Sequence, residues 1–277
     1  MRNPVPSSPT GFVRLVGACP GDADLITLRG WRALQEADVV LYDSLIDPRL
    51  LEGLRAPRLF VGKRCGQHAM SQPQINELLV GLALQGNQVV RLKGGDPCVL
   101  GRAGEEALAL AEHGIPFEIV PGVTSASAVP ALAGIPITHR GTADSFTVVA
   151  AHRRHDDLRF SIPPFHPRTT LIIMMGRSTV DDWRDQLLEL GYARDLPVAF
   201  VSAGCTAREW VLVTCVEDAV EDLRRAALAT PVLAVVGQVV RLRDRLAAGA
   251  TREWEGVHRL LGSYVDVEDD SHVVSLG

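Results

Sequence analysis

Val89-Val90-Arg91-Leu92-Lys93-Gly94-Gly95-Asp96-Pro97 is the stretch on which the reading of this chain turns. Its first four residues form a short run with the signature of a buried strand, and the run enters a glycine turn directly. Two glycines at a strand end allow the backbone to approach a ligand closely. Asp96 sets a carboxylate beside the exposed amides, which suits a ligand carrying a cationic amine and polar edges. The same residues also make an ordinary tight turn, capped by Asp and stopped by Pro.

Working outward, the pattern repeats. Phe12–Val16 reads as a strand ending in the turn GACPGD. After it, Leu25, Leu28, Trp31 and Leu34 fall at helical spacing with Asp24 as the cap. Val39–Tyr42 and RLFVG are further strands, FEIVP another, and helices are expected over 74–84, 105–112 and 124–133. This alternation predicts a mainly parallel sheet with helices on both faces, its strand-end loops gathered along one edge where ligands bind. The converging loops are GACPGD, Tyr42-Asp43, GKRCG, KGGDP and PGVTSAS.

After AGIPITHRG the chain begins again. SFTVVAAH, TLIIMMG, PVAFVSAG, the run 211–216 and VLAVVG read as strands, with helices over 180–190 and 217–229. The expected organisation is a flexible start at 1–11, α/β domains at 12–136 and 137–247, and an acidic appendage at 248–277. That last segment holds the net charge. From Glu253 onward there are six acidic residues and one basic, which equals the −5 of the whole chain. Between Arg58 and Arg102, six basic residues face only Glu77 and Asp96. Such a local excess gathers anionic partners whatever the global sign. Aromatic residues are 5% and do not interleave with the basic ones, which disfavours nucleic acid.

Composition removes other classes. With 47% hydrophobic residues in 277, a sizeable core is expected. No apolar run approaches the roughly 18 residues of a membrane span, and the start lacks the apolar stretch of a secretory signal. Cys19, Cys65, Cys98, Cys205 and Cys215 are scattered and odd in number, a pattern expected of reduced thiols in a cytoplasm. There is no P-loop motif, no G-x-G-x-x-G, no G-x-S-x-G and no H-E-x-x-H, so P-loop, Rossmann, serine-hydrolase and zincin chemistry are disfavoured.

Individual loop residues stay open between two readings. Thr124-Ser125 at a helix start can hold a carboxylate or a ribose, or simply cap the helix. Met175 can line an apolar slot or belong to the core. Asp43 and Lys63, just past short strands, are candidates for proton transfer or surface charges. Arg102 and Glu105 are spaced for a local ion pair.

Together, VRLVGACPGDADLITLRG, VVLYDSLI, VGKRCGQH, VVRLKGGDPCVLGRAGEE, VPGVTSASAVPALAGIPITHR, MMG and VLAVVGQVVRLRD resemble the tetrapyrrole methylase family over about residues 12–246. The GKR, RLKGGDP and THR segments are most similar to its uroporphyrinogen-III C-methyltransferase branch. The resemblance implies two α/β domains, a homodimer, and S-adenosylmethionine bound in the cleft between domains without a Rossmann fingerprint or a metal. Its implied cofactor contacts are Pro20, Gly94, Gly95, Asp96, Val99, Thr124, Ser125, Met175 and Gly204. The implied reaction places methyl groups on carbons 2 and 7 of uroporphyrinogen III, giving precorrin-2 through precorrin-1 toward sirohaem and cobalamin. S-adenosylhomocysteine is left behind. Lys63, Arg64, Arg102 and Arg140 are expected to recognise the substrate's carboxylates. For the proton, the resemblance offers Asp43 as acceptor with Lys63 as donor, or Arg102 with Glu105 and Arg140. A guanidinium is a poor base, so Asp43 is preferred.

No fused dehydrogenase-chelatase segment is read in the chain, so oxidation and metal insertion are expected elsewhere. Departures from the family pattern are Cys19 for a glycine, Cys98 and Leu100 for two phenylalanines, Ala103 for a glycine, and SAGC for an Asn-Gly-Thr turn. Retained activity with weaker cofactor affinity is expected. A sister precorrin methyltransferase, or a tetrapyrrole-binding relative without activity, are the other readings.

Overall fold

The structure, a computed structural model, describes residues 10–62, 70–152 and 159–247. Lys63 and Arg64, most of the expected flexible start and the acidic appendage lie outside the described residues.

Two five-stranded sheets organise the chain. The first comprises β1 (Phe12–Gly17), β2 (Val39–Tyr42), β3 (Arg58–Phe60), β4 (Gln88–Lys93) and β5 (Phe117–Val120), in the order β3-β2-β4-β1-β5. Every pairing in it is parallel. Alternate residues of each strand face opposite sides. Val13, Leu15, Leu41 and Val89 pack under helices α2 (Gln72–Leu84) and α3 (Ala103–Glu112), whereas Val16, Val40 and Val90 pack under α1 (Leu28–Gln35). Because β2, β4, β1 and β5 are neighbours running the same way, the loops leaving their carboxyl ends share one edge of the sheet.

The second sheet holds β6 (Ser145–Ala150), β7 (Thr169–Met174), β8 (Pro197–Ser202), β9 (Trp210–Cys215) and β10 (Val232–Val236), in the order β6-β7-β10-β8-β9. Only β6 and β7 pair parallel here. The α/β alternation therefore predicts strand direction correctly in the first half and incompletely in the second. The connection between β8 and β9, from Ala203 to Glu209, is too short for a parallel crossover, which needs about a dozen residues. Helices α5 (Val180–Glu189) and α6 (Ala219–Ala226) cover one face with Trp183 and Phe200 at the centre, and Trp183 Nε1 donates to the Gly176 carbonyl at 2.8 Å. The other face is covered by α4 (Ser125–Leu132). This helix follows the first sheet in sequence but buries Ala126, Ala128 and Val129 against Ile172, Ala199, Val201 and Leu233 of the second. A short α7 (Arg243–Ala247) ends the described chain. Among the described residues no helix is long and apolar enough to cross a membrane.

One expected helix is broken. A 3-10 turn occupies Ala23–Leu25 with Asp22 as its cap, the chain then extends through Ile26 and Thr27, and α1 starts at Leu28. Thr27 caps α1 by accepting from the Gly30 amide at 3.1 Å, so Asp24 is not the cap. Leu28 is 48% exposed, off the buried face that the periodicity assigned to it.

The tightest packing is between backbones. A Cβ on Gly122 would stand 2.5 Å from the Gly95 carbonyl oxygen and 2.9 Å from the Gly17 Cα. The Gly122→Ala substitution is expected to lower the unfolding free energy by about 1–3 kcal/mol. Gly81→Ala, mid-α2 with open space where the methyl would stand, is expected to raise it by about 0.5–1 kcal/mol. Urea unfolding followed by tryptophan fluorescence measures both, and equal effects at the two glycines would contradict the packing described.

Candidate functional site

The strand-end loops of both sheets meet around a cavity of about 710 Å³. The first sheet contributes Pro20 and Gly21 after β1, Ser44–Pro48 after β2, Gly94–Asp96 and Val99–Gly101 after β4, and Thr124-Ser125 at the start of α4. The second contributes Met174, Met175, Arg177 and Ser178 after β7, Ala203, Gly204, Thr206 and Arg208 after β8, and Thr230–Leu233 at the entry to β10. β7 and β8 flank β10 and run opposite to it, which brings their ends to its beginning. All nine residues expected to contact the cofactor line this one cavity: Pro20, Gly94, Gly95, Asp96, Val99, Thr124, Ser125, Met175 and Gly204.

The floor is made of peptide groups. Gly95 stands at φ +71°, and its amide and carbonyl pair with Cys19 across an antiparallel bridge. A Cβ there would approach only the Ser125 amide at 3.7 Å and its hydroxyl at 4.0 Å, so the turn opens toward the start of α4. Asp96 is chiefly a staple. Its Oδ1 accepts from the Cys98 amide at 2.8 Å and its Oδ2 from the Gly122 amide at 3.0 Å, tying the β4 and β5 loops together. Thr124 caps α4, accepting from the Ala126 amide. Asp47, on the cavity wall, shares the Arg49 guanidinium with Asp22 at 2.8 Å each. Burial alone would raise the Asp47 carboxyl, but its hydrogen bonds from Arg49 outweigh that and hold it below the usual carboxylate range.

Backbone strain concentrates here. Cys19, Leu100, Arg102, Met175, Ala203 and Cys205 all have positive φ without being glycine, and all lie in the loops around the cavity. Each such residue costs about 1–3 kcal/mol and persists only where its surroundings enforce it. Cys19, at φ 61°, occupies a conformation that glycine adopts freely. Its Sγ accepts from the Val123 amide at 2.9 Å. Ala203 and Cys205 carry the same burden on either side of Gly204, where a Cβ would stand 2.5 Å from Val129 Cγ1.

The residues expected to handle the proton lie apart from that lining. Asp43 is held by both carboxylate oxygens on Arg91, at 2.8 and 2.9 Å, next to cavity-lining Ser44. Arg102 and Glu105 form the local ion pair that their spacing predicts, at 2.7 Å, and that pairing raises the guanidinium's proton affinity further. Arg140 is exposed and has no acidic partner among the described residues. The structure also places cations in the cavity that the sequence reading passed over, Arg177 and Arg208, neither with an acidic partner among the described residues. Arg177 follows the MMG strand end directly, the same loop-edge position that drew notice to Asp43. A further group passed over, Arg91 with Glu106, had a signal in β4, where two basic residues at alternate positions of a buried strand require a buried acid.

Burial raises the Cys19 thiol above its ordinary proton affinity. With iodoacetamide at pH 8, native protein is expected to be alkylated at exposed Cys98 while Cys19, 2% exposed, is spared. Because the folded thiol keeps its proton to higher pH than the unfolded one, stability is withdrawn as pH rises above the ordinary thiol range. Peptide mass mapping checks the first point, and equal labelling of the two cysteines would contradict it.

Three comparisons bear on this site. The family model for Tetrapyrrole (Corrin/Porphyrin) Methylases matches residues 13–220. A siroheme synthase of Azotobacter vinelandii is 47% identical over 242 residues, covering 86% of this chain and 52% of that protein. The chain thus spans about half the length of the curated relatives it matches. A Thermus thermophilus uroporphyrin-III C-methyl transferase, solved with S-adenyl homocysteine, superposes with a TM-score of 0.73 at 40% identity, covering 84% of this chain and 100% of that one. A cobalt precorrin-4 methyltransferase superposes with a TM-score of 0.71 at 25% identity, covering 86% and 99%. By its sequence over both sheets, the chain belongs to the tetrapyrrole (corrin/porphyrin) methylase family.

Proposed function

We propose that the protein transfers methyl groups from S-adenosylmethionine to carbons 2 and 7 of uroporphyrinogen III, forming precorrin-2 through precorrin-1 and releasing S-adenosylhomocysteine. The observation that carries this reading is convergence: nine residues from five separate loops, picked out by family pattern, line a single cavity. The donor supplies an electrophilic methyl on a sulfonium centre.

The cavity's residues suit such a donor. Gly94 and Gly95 present peptide groups without side chains, Thr124 and Ser125 add hydroxyls at a helix start, and Met175, 48% exposed at the end of β7, offers a polarisable apolar surface. A reduced pyrrole carbon is already nucleophilic, so the protein's main task is alignment of methyl and carbon. A base is needed only afterwards, to take a bridging-carbon proton from the cationic ring. Asp43 fits that task better than Arg102, whose guanidinium is bound to Glu105 and holds its proton the more strongly for it. Lys63 as donor, and Lys63, Arg64, Arg102 and Arg140 as partners for substrate carboxylates, remain part of the proposal. Arg177 and Arg208 join them from the second sheet.

The same reading carries a homodimer. Edge strand β9 leaves Trp210 and Val213 exposed, 63% and 48%, beside a strand edge that is unpaired among the described residues. A sister activity on a later corrin precursor is the second reading, favoured by the likeness to the precorrin-4 enzyme.

Anaerobic incubation with uroporphyrinogen III and S-adenosylmethionine is expected to add the mass of two methyl groups, by protein sedimenting at twice 29.9 kDa. Methylation of later precursors alone would move the assignment to the sister activity, and no transfer to any tetrapyrrole would falsify both. Arg177→Ala with Arg208→Ala is expected to raise KM for the tetrapyrrole about tenfold with kcat little changed, the loss of charge-assisted carboxylate bonds. Calorimetry with the methyl donor distinguishes this from loss of donor binding.

A further inference from the structure

Beneath the cavity floor, four charged side chains are gathered in the first sheet. Arg91 and Lys93 project from one face of β4, Asp43 follows β2 on the adjacent strand, and Glu106 comes from α3. Arg91, Lys93 and Glu106 are 2%, 4% and 0% exposed. Glu106 Oε1 accepts from Arg91 Nε at 3.1 Å, from Lys93 Nζ at 2.9 Å and from Gln72 Nε2 of α2 at 3.2 Å. Its other oxygen, Oε2, is buried with no partner among the described residues. Arg91 Nη1 donates to the Leu92 carbonyl at 3.2 Å, and Nη2 alone reaches both oxygens of Asp43.

Stability does not account for this cluster. Desolvating two cations and a carboxylate costs several kcal/mol per ion, and apolar residues of similar volume commonly do as well or better. An orphaned carboxylate oxygen adds to the cost. What the arrangement does supply is orientation. A charge-assisted donor shared between both oxygens of a carboxylate restrains it. The donor is itself fixed, because Glu106 holds Nε of the same rigid guanidinium and the Leu92 carbonyl holds Nη1. Asp43, whose side chain keeps 29% exposure, is thereby held in one orientation, one residue before cavity-lining Ser44.

We propose that Arg91 and Glu106 are positioning residues, a buried brace that fixes the Asp43 carboxylate for proton acceptance. The proposal rests on the methyl-transfer reading above. In the step concerned, the C–H bond of the bridging carbon breaks, its electron pair returns to the cationic ring, and the proton passes to an Asp43 oxygen. Lys93 completes the charge balance and, lying immediately before Gly94, fastens the brace to the cavity floor.

A double-mutant cycle tests this on the full chain. Arg91→Lys, which keeps the charge but loses the planar group that holds Glu106 and Asp43 at once, is expected to lower single-turnover methyl transfer about tenfold or more, while donor affinity by calorimetry changes less than about twofold. In an Asp43→Asn background, the same Arg91→Lys change is expected to cost almost nothing further, because the group it positions is already gone. Glu106→Gln keeps volume and one acceptor, and is expected to behave the same way; it serves as the second arm should Arg91→Lys fail to fold by circular dichroism. Additive losses in an otherwise active protein would overturn the brace and leave the functional reading standing. A wild-type protein that transfers no methyl group overturns that reading, and the brace as a catalytic device with it.

Discussion

Three loops of the first sheet touch through bare backbone, and the site depends on that contact. Gly17, Gly95 and Gly122 belong to the ends of β1, β4 and β5, strands that lie side by side. Gly17 and Gly122 have no room for a single added carbon, and Gly95 is held at a positive φ that a side chain opposes. Asp96 then fastens the β4 loop to the Gly122 amide, and the Cys19–Gly95 bridge fastens it to the β1 loop. The result is a floor of fixed peptide groups, the kind of surface that recognises a ligand without paying side-chain entropy on binding.

The strained residues follow from the same constraint. Loops pressed this closely have few backbone paths, and Cys19, Leu100, Met175 and Ala203 are held in the left-handed region although their side chains oppose it. The two sheets supply the stability that holds them there, through cores on both faces of each. Cys19 also shows how such a position tolerates a residue other than glycine, since its sulfur accepts from the Val123 amide and so ties the β1 loop to the start of α4.

Much of this was legible in the sequence because short apolar runs report strands regardless of what they pair with. The ten described strands all overlap their expected spans, and of the expected loops GACPGD, KGGDP and PGVTSAS line one cavity, while GKRCG lies almost wholly outside the described residues. What failed was information carried by space rather than order. The break at Ile26-Thr27 interrupts a helical spacing that Leu25 and Leu28 satisfy on either side. The antiparallel course of β10 is set by its neighbours β7 and β8, and nothing in VLAVVG records it. Asp96 was open in the sequence between a ligand group and a turn cap; its bond to the Cys98 amide is the cap, whereas its bond to the distant Gly122 amide is invisible in a string of letters. Arg177 and Arg208 were passed over because arginines in loops are common, and only the fold shows two of them facing one cavity.

Helix α4 gives the molecule a mechanical character that its two sheets alone would not suggest. Its leading turn is anchored through Gly122 to the first sheet, and its apolar face is buried on the second. Gly204 closes on Val129 of the same helix with no space between them. The two halves are therefore cross-braced as a roof beam braces two walls, and prising them apart would strip the apolar face of α4 from Ile172, Ala199 and Leu233. The cavity is a notch cut into one continuous body. A ligand entering it meets walls whose spacing is already set, so discrimination among ligands falls to the shape of the notch before any closing motion takes part.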